Sequence, residues 1–458
     1  MSNKSRKERL IVVGGNAAGM SAASKAKRLH PQLEVIALER TPHVSYSACG
    51  IPYYISDLVR EPAELIAITP RQFEEQRGIQ MLTLHEVLAV NPVQRTVIAR
   101  SLESLYEKCF EYDRLVLSTG GLPAKPNIAG VDLKNVFTVQ TLQDGIRIKS
   151  FVDEKRPERA VIIGGGYIAM EMAEAFSKRF LGVTIIEKEA QILPGFDERL
   201  TAQVVAELQA HDVRILTSKN VEEFVGDETG DVRAVTVTGL DAPVPADLVL
   251  SCMGLLPNTA LAESAGVRLG NTGAIAVDWK MQTNVANIYA AGDCAEVKNL
   301  VTGKPDYIPL GSTANKQGRV AGENIGGGFG AFKGVVGTSV FKVFSLEVAR
   351  TGLDLQTARQ FGFNPAAVVI TAPAKAAYFA GAREITISVI FDHSNARLLG
   401  AQMVGKEGVS KRIDVFATAL CNKMTLHEMA YLDLSYAPPF APVWDPVLVA
   451  VQAARKKL

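Results

Sequence analysis

The sequence predicts an α/β protein with two doubly wound units followed by a separate α+β domain. One supersecondary pattern occurs twice, at residues 10–39 and at residues 160–187. Each copy reads as an apolar strand, a glycine turn, a helix of small residues and a second strand that ends in a glutamate. This is the pattern of a βαβ unit that binds a nucleotide. A unit that recurs in one chain indicates two nucleotide-binding domains of Rossmann type.

Composition limits the possible functions. The 458 residues are 47% hydrophobic and 21% charged, which is typical of a globular protein of two to four domains. Lys and Arg number 49 against 48 Asp and Glu, so no basic surplus indicates a nucleic-acid partner. No apolar run is long enough to span a membrane. The charged start, residues 1–9, passes directly into Leu10–Val13 without a signal peptide. We therefore expect a cytoplasmic protein with neither a nucleic acid nor a membrane as partner.

The cysteines and histidines do not predict a metal site. The five cysteines lie far apart, without a Cys-x-x-Cys pair, at Cys49, Cys109, Cys252, Cys294 and Cys421. This spacing argues against a disulfide framework and against structural zinc. Most of these cysteines are expected to be buried and inert. The six histidines also lack the spacing of metal ligands.

The first glycine turn carries the features of a dinucleotide site. Gly14 permits the tight turn, and Gly19 lets the helix pack closely on the strand. The amino terminus of the helix, at Asn16 and Ala17, is expected to face a pyrophosphate. Glu39 ends the second strand, where its carboxylate can accept hydrogen bonds from ribose hydroxyls.

The second turn, residues 164–169, has the same design, and the strand that follows its helix ends in Glu187. A carboxylate at this strand end favours the free 2′-hydroxyl of NADH and repels the 2′-phosphate of NADPH. Lys188 lies beside it in sequence and weakens that exclusion. NADH is therefore the expected donor, with NADPH left open.

The remaining chain contains further buried-strand patterns that end in glycine, at residues 112–120, 247–254 and 287–293. The glycine-rich stretch 326–331 indicates a boundary, after which strand-like runs (386–391) and helical runs (411–422) alternate. The predicted domains are 1–152, 153–277, 278–334 and 335–458.

Two motifs carry a resemblance to a known family. Residues 283–293, which end in Gly292-Asp293, resemble the second FAD fingerprint of flavoproteins with two dinucleotide domains. Cys49 stands alone in Ser45–Tyr54, where glutathione- and lipoamide-type reductases have two cysteines. The chain thus resembles the single-cysteine branch of the pyridine-nucleotide disulfide oxidoreductases. The resemblance implies that the NAD domain is inserted within the FAD domain, and that residues 335–458 form a dimerisation domain.

The carboxyl-terminal segment 432–446 is similar to the end of coenzyme A disulfide reductases, where it crosses to the partner subunit. Tyr436 and Tyr378 match the two family tyrosines near the CoA sulfur. The resemblance implies a homodimer that uses FAD and NADH or NADPH to reduce CoA disulfide or CoA persulfide through a Cys49–S–S–CoA mixed disulfide. A helix amino terminus at residues 50–54, together with the flavin environment, is expected to lower the pKa of the Cys49 thiol.

The resemblance and the two turns together imply a set of site residues. The catalytic residues are Cys49, Tyr436 and Tyr378. The residues expected to bind the cofactors are Gly14, Gly15, Asn16, Ala17, Gly19, Glu39, Arg40, Thr119, Gly120, Gly164, Gly166, Tyr167, Ile168, Glu187, Gly254, Asp293 and Ala314, with Tyr167 as a gate over the flavin face. The residues expected to bind the substrate are Ser45, Lys25, Arg28 and Arg77.

Two alternatives stay open at this point. On the same scaffold, oxygen or peroxide would be the oxidant, with a sulfenic acid at Cys49 as intermediate. In a different class, the chain would be a flavoprotein that senses NADH with little turnover, and Cys49 would be incidental.

Overall fold

The computed structural model describes residues 7–458, so part of the charged start considered above lies outside the described residues. The first segment contains the elements β1 Arg9–Val13, α1 Ala17–Leu29, β2 Glu34–Leu38, α2 Ile51–Ile55, α3 Pro70–Arg77, β3 Ile79–Leu82, β4 His85–Asn91, β5 Thr96–Ser101, β6 Glu107–Glu111, β7 Arg114–Leu117 and β8 Gly121–Pro123. A short 3₁₀ helix, Ala48–Gly50, directly precedes α2.

The middle of the chain contains β9 Val136–Thr138, α4 Leu142–Lys155, β10 Arg159–Ile163, α5 Tyr167–Lys178, β11 Gly182–Ile186, α6 Glu198–Gln209, β12 Arg214–Leu216, β13 Val221–Gly226, β14 Val232–Val237, β15 Val244–Pro245, β16 Leu248–Ser251, β17 Leu255–Pro257 and α7 Ala260–Ser264. It is followed by β18 Ile288–Ala290, β19 Val297–Lys298, β20 Pro305–Asp306 and α8 Gly311–Ile325. The last segment contains β21 Ser339–Val343, β22 Leu346–Gly352, α9 Leu355–Gln360, β23 Pro365–Pro373, β24 Glu384–Asp392, β25 Leu398–Gly405, α10 Val409–Cys421, α11 Leu426–Met429 and α12 Pro446–Arg455.

The first sheet is parallel, with the strand order β18-β7-β1-β2-β3. Its central strand β1 is apolar and buried from Leu10 to Val13, as the continuous apolar run predicted. Strand β18 pairs with β7 although the whole second unit lies between them in sequence. The first unit is therefore assembled from two separate parts of the chain, which agrees with the insertion that the resemblance implied.

The second sheet is also parallel, with the order β12-β11-β10-β16-β9. Its edge strand β9 comes from the amino-terminal side of the boundary predicted at residue 152. The three boundaries between the four predicted domains remain predictions. Two small antiparallel sheets, β4-β5-β6 and β13-β14-β15, accompany the two parallel sheets.

Helices α1 and α8 pack against each other over the first sheet at very short range. A Cβ atom at Gly318 would lie 2.1 Å from the carbonyl oxygen of Ala18, so only glycine permits this approach. The close packing fixes the amino terminus of α1 beside the start of α8. Both helices consequently border the same cavity, which is described below.

The last segment forms a five-stranded antiparallel sheet with the order β21-β22-β25-β24-β23, and α10 and α12 pack on it. The α+β fold predicted after residue 335 is thus confirmed. Buried Glu174 on α5 links this sheet to the second unit, because its carboxylate accepts hydrogen bonds from Lys342 Nζ at 2.6 Å and from the backbone N–H of Phe344 at 2.7 Å.

The prediction that most cysteines are buried is wrong. Cys49, Cys109 and Cys421 are exposed, Cys252 is half-buried, and Cys294 alone among the five is buried. Cys109 lies on the solvent side of the edge strand β6, and Cys421 ends α10. Within residues 7–458, no helix is both long enough and apolar enough to cross a membrane.

Candidate active site

The first glycine turn has the geometry of a phosphate-binding turn. Gly14 adopts a φ of +105°, and a Cβ atom there would lie 2.2 Å from the carbonyl oxygen of Ser118. Helix α1 starts after Asn16, whose side chain does not cap it, so the first backbone N–H groups of the helix remain available to an anion. The Glu39 carboxylate accepts hydrogen bonds from the backbone N–H groups of Gly15 at 2.7 Å and Thr41 at 2.8 Å. It still has lone pairs for a ribose.

A cavity of about 340 Å³ opens from this turn. It brings together twelve of the residues predicted from the sequence, namely Gly14, Gly15, Asn16, Ala17, Glu39, Arg40, Cys49, Thr119, Gly120, Ile168, Asp293 and Ala314. Gly19 does not line the cavity. A Cβ atom at Gly19 would lie 2.0 Å from the carbonyl oxygen of Gly14, so this glycine permits the close packing of helix and strand that was predicted for it.

Asp293 borders the first cavity. Among residues 7–458, no hydrogen-bond donor reaches its carboxylate, and burial raises its pKa to about 6. A partly buried carboxylate without a donor is costly unless a ligand supplies hydroxyl groups to it. This acceptor, the open helix terminus and Glu39 together fit an elongated molecule that carries both phosphates and hydroxyls. FAD is such a molecule.

The second glycine turn repeats the design. Gly164 has a φ of +101°, and the Glu187 carboxylate is 5% exposed. It accepts hydrogen bonds from the backbone N–H groups of Gly165 at 2.6 Å and Glu189 at 2.8 Å. The Lys188 ammonium lies 3.7 Å from the Glu189 carboxylate and is largely exposed. Lys188 is therefore directed to solvent and to Glu189.

A second cavity, of about 520 Å³, adjoins the first. Ile168 and Leu255 line both cavities, and Gly166, Tyr167 and Gly254 line the second one only. The Tyr167 ring stacks on Phe341, with ring centroids 5.1 Å apart. Gly164 and Glu187, by contrast, lie outside the residues that line these two cavities. The predicted gate Tyr167 thus lies on the wall of the second cavity, next in sequence to Ile168, which lines both cavities.

Cys49 is the one cysteine among the described residues that lines the first cavity. It lies within the short 3₁₀ helix before α2, and its side chain opens onto the cavity. The pKa of the Cys49 thiol was predicted to be lowered. This prediction is wrong as far as the surrounding protein groups are concerned. Although the Cys49 side chain is open to the cavity, the protein around it partly desolvates the thiol, and this raises its pKa most. The carboxylates of Glu171 and Asp293 raise the pKa further, and its own backbone N–H lowers it.

Glu171 is a site residue that the sequence analysis did not assign. It lies on α5 and lines the cavity of Cys49. Burial, followed by the neighbouring Glu174, raises the pKa of its carboxyl group to about 7. The sequence contains one signal for this residue. Glu171 lies four positions after the predicted site residue Tyr167, and residues at this spacing lie on one face of a helix. Glu171 can therefore hold or release a proton next to Cys49 near neutral pH.

A third cavity is a cationic cleft of about 210 Å³. It brings together all four predicted substrate residues, Ser45, Lys25, Arg28 and Arg77, with Arg319 as an addition that the sequence analysis did not identify. Ala17 lines both this cleft and the cavity of Cys49. Lys25 forms an ion pair with Glu323 at 3.4 Å, and Arg77 donates to the Ser24 hydroxyl at 2.7 Å. Three guanidinium groups in one cleft suit a ligand with several phosphates.

The two predicted catalytic tyrosines lie in the last domain. The Tyr378 and Tyr436 hydroxyls interact with each other, which raises the pKa of Tyr378, and both side chains are exposed. They are not among the described residues that line the cavity of Cys49 within the same chain. In the described part of the chain, no group of three or more His, Cys, Asp or Glu residues could hold a metal ion.

Residues 8–318 match the pyridine nucleotide-disulphide oxidoreductase family, and residues 338–446 match the dimerisation domain of that family. The chain belongs to this family. The resemblance that rested on the two turns, Cys49 and Asp293 is thereby confirmed, as is the α/β fold class. The family depends on FAD and NAD(P)H, in agreement with the predicted cofactors.

Three curated relatives show the range of activities on this scaffold. The NAD(P)H coenzyme A polysulfide/persulfide reductase of Pyrococcus horikoshii is 39% identical over 450 residues, which cover 98% of this chain and 99% of the relative. The NADH oxidase of Methanocaldococcus jannaschii is 36% identical, with coverage of 98% and 99%. The coenzyme A disulfide reductase of Staphylococcus haemolyticus is 31% identical, with coverage of 98% and 99%.

Proposed function

We propose that this protein is a homodimeric, FAD-dependent oxidoreductase that uses NAD(P)H to reduce CoA disulfide or CoA persulfide through Cys49. The observation that carries the proposal is that the cavity lined by a single cysteine adjoins a cationic cleft. Cys49 lines a cavity between two glycine turns, and the cleft with Arg28, Arg77 and Arg319 adjoins that cavity. A CoA thiol derivative combines a reactive sulfur with phosphate groups, so it matches both halves of the arrangement.

The first cavity is the proposed FAD site. The backbone N–H groups at the start of α1 would bind the pyrophosphate, Glu39 the adenosine ribose and Asp293 the ribityl hydroxyls. The second cavity, with Tyr167 on its wall, would receive the nicotinamide end of NAD(P)H. When bound, FAD supplies the two-electron transfer between the nicotinamide and the sulfur centre.

Cys49 performs the sulfur chemistry in this proposal. Its thiolate attacks one sulfur of CoA disulfide, which forms the Cys49–S–S–CoA mixed disulfide and releases one CoA thiolate. Two electrons that originate from NAD(P)H then cleave the mixed disulfide, regenerate the Cys49 thiolate and release the second CoA thiolate. With a CoA persulfide, the first leaving group is hydrosulfide instead. Glu171 can take up or release a proton next to the cysteine during the cycle.

Tyr378 and Tyr436 would act on the Cys49 of the partner subunit. Their exposure, the interaction between their hydroxyls and the match of this region to a dimerisation domain support this assignment. The Tyr436 hydroxyl would orient or protonate the departing thiolate. A cytoplasmic location also belongs to the proposal, because five free cysteines, three of them exposed, suit a compartment that keeps thiols reduced.

The replacement of Cys49 tests this function. Cys49→Ser should abolish the reduction of CoA disulfide and CoA persulfide, and it should leave the reduction of the flavin by NADH intact in stopped-flow measurements. Cys109→Ser is the matched control, since Cys109 is exposed on β6 and does not line the cavity of Cys49. Unchanged CoA-disulfide turnover in Cys49→Ser would refute the role of Cys49. Flavin reduction without CoA-disulfide turnover in the unmodified protein would favour an NADH-sensing flavoprotein.

NADH oxidase activity is the second candidate, supported by the 36% identity to the Methanocaldococcus jannaschii enzyme. Tyr436→Phe separates the two activities. The loss of a positioned proton donor typically costs about 10²–10⁴-fold in rate, and oxygen does not need a proton on a departing thiolate. We expect a large deficit with CoA disulfide and a small one with oxygen. Equal, modest deficits with both acceptors would assign Tyr436 a packing role and favour the oxidase.

A further inference from the structure

Tyr378 and Tyr436 are carried by two irregular segments. Tyr378 lies in the loop between β23 and β24, and Tyr436 lies in the stretch between α11 and α12. The two segments contact each other through the backbone N–H of Ala376, which donates to the carbonyl of Pro438 at 3.2 Å. Exposed irregular segments are normally mobile, so two side chains on them need an anchor to hold one geometry.

Arg412 contacts both segments. This residue of α10 is 9% exposed. Its Nη2 atom donates to the carbonyl oxygen of Ala374 at 2.7 Å and to that of Phe440 at 3.3 Å. Its Nε atom donates to the Asp445 carboxylate at 2.9 Å. One guanidinium group therefore binds the Tyr378 segment at its start and the Tyr436 segment at its end.

Asp445 completes the anchor. It is 7% exposed, pairs with Arg412 and caps α12 by accepting a hydrogen bond from the backbone N–H of Val447 at 2.9 Å. A buried ion pair often contributes little net stability compared with apolar residues of similar size. Its value in this place is geometric, because the planar fork of an arginine fixes the directions of several acceptors at once.

We propose that Arg412 and Asp445 are positioning residues, which hold Tyr378 and Tyr436 in the arrangement that the sulfur chemistry requires. Neither residue contacts the substrate, and both act through the two tyrosines. The inference rests on the proposed function for its catalytic readout, but the anchor itself is a physical property of the chain. The two aspects can be tested separately.

Arg412→Lys is the most informative variant. Lysine keeps the positive charge and can pair with Asp445, but a single ammonium cannot reproduce the fork that reaches Ala374, Phe440 and Asp445 together. In the holoenzyme, we expect kcat with CoA disulfide to fall on the order of 10–100-fold, as small misplacements of catalytic groups do. The reduction of the flavin by NADH should stay unchanged. Arg397→Lys is the matched control, because Arg397 also donates to a carbonyl, that of Val301 at 3.2 Å, in the same domain.

A double-mutant cycle distinguishes positioning from general support. In a Tyr378→Phe/Tyr436→Phe background, Arg412→Lys should cause almost no further loss, because the groups that it positions are absent. An equal loss in both backgrounds would overturn the proposal. Asp445→Asn is a second variant, since asparagine keeps an acceptor for Val447 and so preserves the cap of α12. It should show the same dependence on the tyrosines.

Hydrogen–deuterium exchange tests the anchor without any activity. Residues 374–383 and 436–445 of the holoenzyme should exchange faster in Arg412→Lys than in Arg397→Lys or the unmodified protein. Unchanged exchange in both segments would refute the anchor, whatever the kinetics show. If the unmodified enzyme does not reduce CoA disulfide although exchange rises as expected, the proposed function fails and the anchor stands.

Discussion

The Glu187 carboxylate accepts a hydrogen bond of 2.6 Å from the backbone N–H of Gly165, a residue of the glycine turn that precedes it in the chain. Glu39 stands in the same relationship to Gly15 in the first unit, at 2.7 Å. Each glutamate thus ties the end of the second strand to the turn after the first strand. A residue expected only to select a ribose therefore also holds the phosphate-binding turn in shape.

Because Glu187 has both roles, two different substitutions of this residue test the preference for NADH over NADPH. Glu187→Gln keeps acceptor capacity for Gly165 and removes the charge that would repel a 2′-phosphate. We expect the ratio of kcat/KM for NADH to kcat/KM for NADPH to fall about tenfold or more, chiefly through a gain with NADPH. Glu187→Ala should instead weaken binding of both donors, because the turn loses its tie. Steady-state kinetics with each donor measure both effects.

A preference of the unmodified enzyme for NADPH would contradict this prediction. If the unmodified enzyme is more efficient with NADPH than with NADH, the Glu187 carboxylate does not control the preference, and Lys188→Ala should then reverse it. The exposed position of Lys188, paired with Glu189 at 3.7 Å, argues for little effect of that variant.

Asp293 should control retention of the flavin. Asp293→Ala removes an acceptor that has no donor among the described protein groups, so the hydroxyls of a bound ligand lose their partner. Hydrogen bonds to charged groups contribute about 1.5–3 kcal/mol, which corresponds to roughly 10–100-fold in FAD affinity. Flavin absorbance per polypeptide after dialysis measures the loss. Asp132→Asn, on an exposed loop, is the control, and equal flavin content in both variants would remove Asp293 from the FAD site.

Glu171 should raise the pKa of the Cys49 thiol. Because its carboxylate disfavours the nearby thiolate, Glu171→Gln should lower that pKa and make alkylation of Cys49 by iodoacetamide faster at a given pH. The rate measured between pH 6 and pH 9 follows the thiolate fraction. Glu75→Gln, on the exposed face of α3, should leave the profile unchanged. An unaltered profile in Glu171→Gln would show that the carboxylate does not act on Cys49.

The same glutamate should make stability depend on pH. The folded protein holds the Glu171 proton up to about pH 7, whereas the free side chain releases it near 4.5. The unfolded state therefore binds fewer protons between these values, and the free energy of unfolding falls as the pH rises through this window. The loss is on the order of 1–3 kcal/mol. Urea unfolding at pH 5 and pH 8 should show a smaller loss in Glu171→Gln than in the unmodified protein, and the remaining loss comes in part from Asp293, whose pKa burial raises to about 6.

The cationic cleft should set the affinity for the substrate. Arg28→Ala and Arg319→Ala should each raise KM for CoA disulfide about tenfold, because each removes a charge-assisted hydrogen bond to phosphate. Lys25→Ala should have a smaller effect, since Lys25 is already paired with Glu323. A small disulfide without phosphate groups is the control substrate, and its KM should not change. A KM for CoA disulfide that stays constant in all three variants would place the substrate elsewhere.

Local patterns in the sequence predicted most of the fold. The glycine turns at Gly14 and Gly164, the strands around them and Cys49 are each defined by a few neighbouring residues. The small sheets β4-β5-β6 and β13-β14-β15 were not predicted, because their short strands carry a weaker alternation of apolar and polar residues. The pairing of β9 with β16 is equally non-local, and no pattern within residues 136–138 indicates it.

The electrostatics of the site could not be derived from local patterns. The pKa of Cys49 was predicted to fall because a helix begins beside it, but desolvation by the surrounding protein raises it, and Glu171 and Asp293 from distant parts of the chain raise it further. The prediction that most cysteines are buried failed for a related reason. The exposure of Cys109 depends on which face of an edge strand is in contact with solvent, and this is not defined by neighbouring residues. The role of Arg412 likewise appears only when α10 meets two segments that are remote in sequence.

The pairing of β18 with β7 has a consequence for the order in which the protein is made. The ribosome delivers β7 long before β18, and every strand of the second parallel sheet lies between residues 136 and 251. The second sheet can therefore close while the first still lacks an edge strand, and the edge of β7 that later pairs with β18 stays unpaired in the meantime. A nascent chain arrested before residue 288 should accordingly contain a protease-resistant inner unit within an unfinished outer one, and the outer unit would be where chaperones bind.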